Sequence, residues 1–209
     1  MEFKSTCTLK NKLDYDKAVV VKQLSTSREA LAVHQQRLQK IFKDDKPEQI
    51  QRKVMDLVAR ENAFAHIMKD NIEGAFEFNI SNEDVENVVN QTKDAVTKGH
   101  EEAYKNADEQ TKAKFPKLED HPFFKWTPEQ QRAFATTSIK KELMFKELAK
   151  LWDIFVTDDE VKQHLENFYK LSNQPIRNYL NNKDEFERIR KMILDEKVTK
   201  EILTRFQVQ

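Results

Sequence analysis

Histidines stand at 34, 66, 100, 121 and 164, and a single cysteine at 7. These are the residues whose types could ligate a metal or attack a carbon. A di-iron bundle places Glu three residues before His, so that both donors leave one helix face together. None of the five histidines has that Glu, and no His-Glu-x-x-His zinc signature occurs. Glu160 and His164 are one helical turn apart and could share a metal, but an i,i+4 surface pair accounts for them more simply. His34 falls on an apolar face, as a core histidine does. Cys7 cannot form an internal disulfide, and nothing around it in the sequence would depress its pKa, so it reads as a structural thiol. Asp158 and Asp159 suit the first turn of a helix, where carboxylates meet the positive end of the dipole. No Ser or Thr sits in a nucleophile motif. Gly74 and Gly99 are isolated, which leaves no P-loop or dinucleotide fingerprint. The pattern calls for no enzyme, no cofactor and no metal.

The remaining chemical capacity is apolar contact. Phe123, Phe124 and Trp126 lie in "KFPKLEDHPFFKWTPEQQ", which three prolines keep from being one helix. They read either as a plug between helical units or as an exposed patch that meets other polypeptides. Phe76, Phe78, Trp152 and Phe155 fall at helix junctions, where small cores and clefts both form. Met55, Met68, Met144 and Met192 offer adaptable surface wherever they are exposed.

The elements that carry these residues are helical. Apolar residues make up 38% of the 209-residue chain and charged ones 34%, a low apolar share for a compact globule. Fourteen Phe and two Trp argue against disorder. That combination predicts an all-α, elongated multi-helix protein with small separate cores. Charge is balanced at 36 basic and 36 acidic residues, without the basic stripe that nucleic-acid binding exploits. No stretch is apolar enough to span a bilayer and the start has no signal-peptide core, so the expected location is the cytoplasm. Residues 1–24 predict a short strand pair or an ordered arm, with "KAVVVKQL" as its β-branched part. Ser27 caps a helix carrying Leu31, His34 and Leu38. Pro47 opens a long helix with its apolar stripe at Ile50, Val54, Leu57, Phe64, Met68, Ile72 and Ala75. Residues 93–120 are a solvent-facing helix or a connection. Thr127 and Pro128 start a further long helix, and Asp184 begins an amphipathic one through Ile189, Ile193, Val198 and Ile202.

Two helix starts resemble each other. "FNISNEDV" (78–85) and "FVTDDEV" (155–161) align at a shift of 76, with Ser81 on Thr157, Asp84 on Glu160 and Val85 on Val161. The preceding helices align as well, Ile72 on Leu148 and Phe76 on Trp152. Thr157 and Glu160 predict a capping box. The unit is a long helix, a short connector without glycine, and a capped second helix, so two helix-turn-helix arms around a cleft are expected.

The segment "KELMFKELAKLWDIFVTDDEVKQHLENFYKLSNQPIRNYLNNKDEFERIRKMILDEKVTKEILTRFQV" resembles the C-terminal helical domain of trigger factor and the related helical core of SurA-type peptide-binding chaperones. The shared order is "VTDDEV", then "NQPIRNYL", then an acidic-capped helix containing "DEKV". The resemblance covers about the last third of the chain. It implies helical arms that hold unfolded or nascent polypeptides in a cleft, without ATP. The glycine-basic ribosome-docking loop and a prolyl-isomerase domain are missing, so ribosome contact and isomerase activity are not carried over. The expected organisation is an N-terminal segment (1–27), a first helical arm (28–92), a polar helix and aromatic hinge (93–127) and the trigger-factor-like region (128–209). The expected activity is that of a holdase with Phe76, Phe78, Phe123, Phe124, Trp126, Met144, Trp152 and Phe155 at the client site. Nucleic acid and membrane are not expected partners, and self-association is left open. The alternatives are a helical adaptor that docks one specific partner and an enzyme of an unrecognised helical type.

Overall fold

The computed structural model describes residues 3–17, 19, 26–112, 114–172, 177–180 and 182–206. Its elements run β1 (Thr6–Leu9), α1 (Arg28–Ile41), α2 (Pro47–Ile67), β2 (Phe76–Asn79), α3 (Asn82–Asn106), α4 (Glu109–Lys112), α5 (Pro122–Lys125), α6 (Pro128–Leu151), α7 (Asp158–Ser172), α8 (Arg177–Leu180) and α9 (Lys183–Arg205). The fold is all-α, with β1 and β2 forming one two-stranded sheet. The expected N-terminal strand does form, but its partner is β2, about seventy residues on. The proposed second strand over "KAVVVKQL" lies mostly outside the described residues.

Two compact units divide the chain discontinuously. One comprises residues 1–8 and 77–147, the other 9–76 and 148–209. The four consecutive segments drawn from the sequence do not express this division. Each repeat copy contributes to both units. The long helix of the first copy belongs to the second unit and its capped helix to the first, and the other copy does the reverse. The compact units are therefore not the two repeat arms.

In the first unit, Val85 and Val89 of α3 pack against Phe123, Ala135 and Ile139. Beyond Val89 no residue of α3 is buried, which agrees with a solvent-facing helix over 93–106. The start of α3 departs from the expected device. Ser81 has the extended backbone of an N-cap, but its side chain caps nothing. The Ser81 N–H donates instead to the Ser5 hydroxyl at 2.9 Å. That hydroxyl and the Ser5 N–H both donate to one Asp84 oxygen, at 2.5 and 2.7 Å. The Asp84 carboxylate, one methylene shorter than a Glu at the same position, accepts from Ser5 and not from the cap N–H. Ser5, brought in ahead of β1, fills the gap.

In the second unit, Ile50, Val54 and Val58 of α2 pack against Leu31 and Leu38 of α1. Val161 and Leu165 of α7 pack against Ile189 and Ile193 of α9. Helices α2 and α9 lie against each other. The α7 start is the predicted capping box. Thr157 N–H donates to Glu160 at 2.9 Å, and Glu160 N–H donates to the Thr157 hydroxyl at 3.3 Å. The connector ahead of it does without glycine because Asp153 takes the left-handed position, φ 53°, at the end of α6. There the Ile154 N–H reaches the Ala149 carbonyl at 2.8 Å, a Schellman-type closure.

Candidate functional site

The residues singled out from the sequence are divided between the two units. Phe78, Phe123, Phe124, Trp126 and Met144 belong to the first unit, and Phe76, Trp152 and Phe155 to the second. Phe123 is the buried centre of an aromatic group. Gln131 Nε2 donates to its carbonyl at 2.9 Å, and Trp126 and Phe134 lie 5.4 and 5.8 Å from its ring. Phe124 meets Phe123 edge-on at 6.4 Å. Trp126 and Phe134 contact each other at 5.6 Å and are 37% and 41% exposed. Phe123 fills the core of the first unit rather than a gap between units, and Trp126 leaves an edge in solvent. Phe78 is half-buried with the Lys140 ammonium 5.2 Å from its ring centre. Met144 is buried and offers no adaptable surface.

In the second unit Phe76 is buried. Trp152 is engaged in a clasp. Its Nε1 donates to the Tyr15 hydroxyl at 3.0 Å, and the Arg205 guanidinium stands 5.1 Å from its ring. Tyr15 in turn packs on Phe206 at 5.2 Å. Phe155 is 65% exposed beside the capping box, its carbonyl accepting from Lys197 at 2.8 Å. Lys197 also bridges to Glu160 at 2.5 Å, and Arg190 to Asp158 at 2.5 Å. Those bonds hold the Glu160 and Asp158 carboxyls below their ordinary pKa values, Glu160 chiefly through Lys197 and Asp158 chiefly through Arg190. Glu160 is thereby a structural anchor joined to α9.

No grouping of three His, Cys, Asp or Glu suited to a metal occurs among the described residues. Cys7 has its thiol pKa pushed up to about 11, by burial first and by Glu147 second, which keeps it protonated and weakly nucleophilic. His34 is half-buried, its Nε2 3.5 Å from Glu61. No described helix is long and apolar enough to cross a membrane.

The feature with capacity for a ligand lies elsewhere in the second unit. An open groove of about 1110 Å³ runs between α2 and α9. Its apolar lining comes from Leu57, Ala63 and Phe64 on α2 and from Met192 and Leu203 on α9. Charged residues line it too, among them Arg60 on one wall and Lys200 on the other. Both helices have apolar residues outside their core stripe. On α2 the buried apolar positions are Ile50, Val54, Val58, Ala63 and Ile67, whereas Leu57 and Phe64, expected in that stripe, are half-buried. A core stripe spans roughly 100° of a helix, so neighbours such as Leu57 and Val58 compete for it, and the partner helix decides. Here α1 takes Val58. On α9, Ile189, Ile193, Val198 and Ile202 are buried, and the row Arg188, Met192, Glu196, Thr199, Leu203 faces the groove. Met192 is 43% exposed, the adaptable position that Met144 does not supply. Small-molecule pockets commonly measure about 300–1,000 Å³, so the groove is large enough for a polypeptide segment.

Relatives align with almost the whole chain. The uncharacterized protein MG377 of Mycoplasma genitalium is 30% identical over 203 residues, which are 97% of this chain and 91% of the relative. The chain belongs to the MG377 family. An uncharacterized homolog of MG377 in Mycoplasma pneumoniae is 29% identical over the same proportions. The crystal structure of a hypothetical Mycoplasma protein, MPN555, is similar with a TM-score of 0.72 and 27% identity, covering 99% of this chain and 91% of that one. No family model matches the chain.

Proposed function

We propose that this chain is an ATP-independent holdase chaperone of the cytoplasm that binds unfolded or nascent polypeptides, as its resemblance to trigger factor and the SurA-type chaperones implies. The observation that carries this reading is the α2–α9 groove, with its apolar lining and charged margins. A client side chain such as Leu or Phe gains about 1.5–3 kcal/mol when fully buried. A few such contacts give reversible capture after the ordering of the client is offset. Met192 and the long aliphatic stems of Arg60 and Lys200 let the lining repack around different sequences. The binding needs no nucleotide, cofactor or metal, and the chain acts as a binder rather than an enzyme. Light scattering of a chemically denatured model protein, diluted with and without this chain and without ATP, tests the proposal. Suppression of aggregation at near-stoichiometric ratios is the expected result. Unchanged aggregation over a wide concentration range, with one stoichiometric partner recovered instead, would replace it with the specific-adaptor reading.

A further inference from the structure

The groove also restricts the shape of its occupant. We infer that it accepts amphipathic helical segments of client polypeptides, with acidic residues beside their apolar row, rather than extended chain; this rests on the holdase reading of the same groove. Both walls are helix interior, residues 57–64 of α2 and 188–204 of α9. Along 57–64 and 188–202 their backbone N–H and C=O groups are engaged in their own helices and offer nothing to a ligand, and only the last turn of α9, at Leu203 and Thr204, lies beyond that ladder. Neither β1 nor β2 borders the groove, so strand addition is not available there. The α9 wall from Arg188 to Thr204 is about 24 Å long at ~1.5 Å per residue. An extended segment of that length has about seven residues, each with a donor and an acceptor to satisfy. Against them the walls present side chains only: two hydroxyls, of which that of Thr204 already donates to the Lys200 carbonyl at 2.9 Å, and the ends of four cationic and three acidic residues, none of them the regular donor–acceptor row of a strand edge. Burying an unpaired peptide group costs about 1–3 kcal/mol. A helix of about sixteen residues spans the same wall with its backbone bonded internally, and leaves only side chains to fit.

Side-chain spacing agrees. Leu57 and Phe64 are seven residues apart on one wall, and Met192, Glu196, Thr199 and Leu203 step by four, three and four on the other. These rows receive the i, i+3/i+4, i+7 anchors of an amphipathic helix. Charge sets the flanks. The lining carries four cations, Arg60, Arg188, Lys191 and Lys200, against three carboxylates, Glu61, Asp195 and Glu196, an excess of one positive charge; Glu61 faces His34, and Arg188 is paired with Glu185 at 2.8 Å. Arg60 and Lys200 stand on opposite walls. Carboxylates along both sides of an occupant's apolar row would meet them, so a client helix with acidic flanks fits better than one with basic flanks.

The test uses the full chain and three fluorescein-labelled sixteen-residue peptides followed by anisotropy. One carries Leu at helical spacing with Glu flanks. The second has the same apolar row with Lys flanks, and the third has two central positions of the first replaced by Pro. The Glu-flanked peptide is expected to bind at least tenfold more tightly than the Pro peptide, with a gain of helical circular dichroism on binding. Arg60→Glu with Lys200→Glu, both exposed positions, is expected to reverse the preference between Glu and Lys flanks. Equal binding of the Pro peptide would overturn the helical occupant while leaving the holdase reading in place. Unaltered flank preference in the charge-reversed variant would overturn the acidic-flank assignment. Failure of all three peptides to bind, together with no suppression of aggregation, would remove the holdase reading as well.

Discussion

Replacing Ser5 by Ala perturbs the fold more than replacing the helix-cap residue Ser81. Ser5 is buried, and its hydroxyl both accepts the Ser81 N–H and donates to Asp84. Alanine leaves that N–H without its partner and takes one of the two Ser5 donors from the carboxylate. An orphaned buried donor costs about 1–3 kcal/mol, and because the Ser81 N–H is part-buried the lower part of that range is the expected one. For a chain of this size each kcal/mol shifts the melting midpoint by about 2–4 °C, so Ser5→Ala is expected to lower it by an amount in the lower part of about 2–12 °C. Ser81→Ala removes a hydroxyl that caps nothing, and a change of only a few tenths of a kcal/mol is expected. Helix-capping rules applied to the local sequence predict the opposite order, with a cap loss of about 0.5–2 kcal/mol at Ser81. The assay is thermal and urea unfolding followed by far-ultraviolet circular dichroism at pH 7. A Ser81→Ala variant less stable than Ser5→Ala would refute the serine relay.

Thr157→Ala, by contrast, breaks a direct capping box and is expected to cost about 0.5–2 kcal/mol in urea unfolding; an unchanged midpoint would mean the α7 start does not depend on its cap. The carboxyls of Asp84, Asp158 and Glu160 are held below their ordinary values of 3.8 for Asp and 4.5 for Glu. Their leading causes are the Ser5 hydroxyl, Arg190 and Lys197 respectively. A depressed folded-state pKa contributes stability that is fully present above the ordinary value and is lost as pH falls through the folded one. The melting midpoint should therefore drop as pH is lowered past 4.5 and continue to drop below 3.8, and a midpoint that rises over that range would contradict the assignments. Cys7, with its pKa at about 11 against an ordinary 9.0, should react with a disulfide reagent at pH 8 on the order of a hundredfold more slowly folded than in urea. Equal rates would place its thiol in solvent.

Much of the helical architecture is legible in the sequence, because caps and apolar spacing are local. Ser27 caps α1 as expected, its side chain accepting the Ala30 N–H at 3.1 Å. Thr127 and Gln130 form a box ahead of α6 with the same reciprocal bonds, at 2.9 and 3.3 Å. The alignment of the two repeat copies is partly realised in burial, with Ile72 and Leu148 buried alike, and Val85 and Val161 likewise. What the sequence hides is pairing over distance. Ser5 reaches Asp84 across 79 positions, and β1 finds β2 across a similar span. Neither leaves a local pattern. The groove is hidden for a related reason. Leu57 and Phe64 look like core, and Met192 and Leu203 look like incidental apolar residues, until α2 and α9 are seen side by side with α1 and α7 already covering their other faces. The conspicuous aromatics misdirect because a large ring is as useful in a core or a clasp as on a surface: Phe76 and Phe123 are buried, and Trp152 is bonded to Tyr15.

The most direct measurement compares aggregation suppression by the natural chain and by a Leu57→Asp, Met192→Asp variant whose circular dichroism and melting midpoint show it folded. Both positions line the groove, one on each wall, and neither is fully buried. Carboxylates there oppose the burial of client side chains without touching the Phe123 core or the Trp152 clasp. Suppression by the natural chain at near-stoichiometric ratios, largely lost in the variant, is the predicted result. Equal suppression by both, or none by either, would contradict the groove as the place where this chain holds its clients.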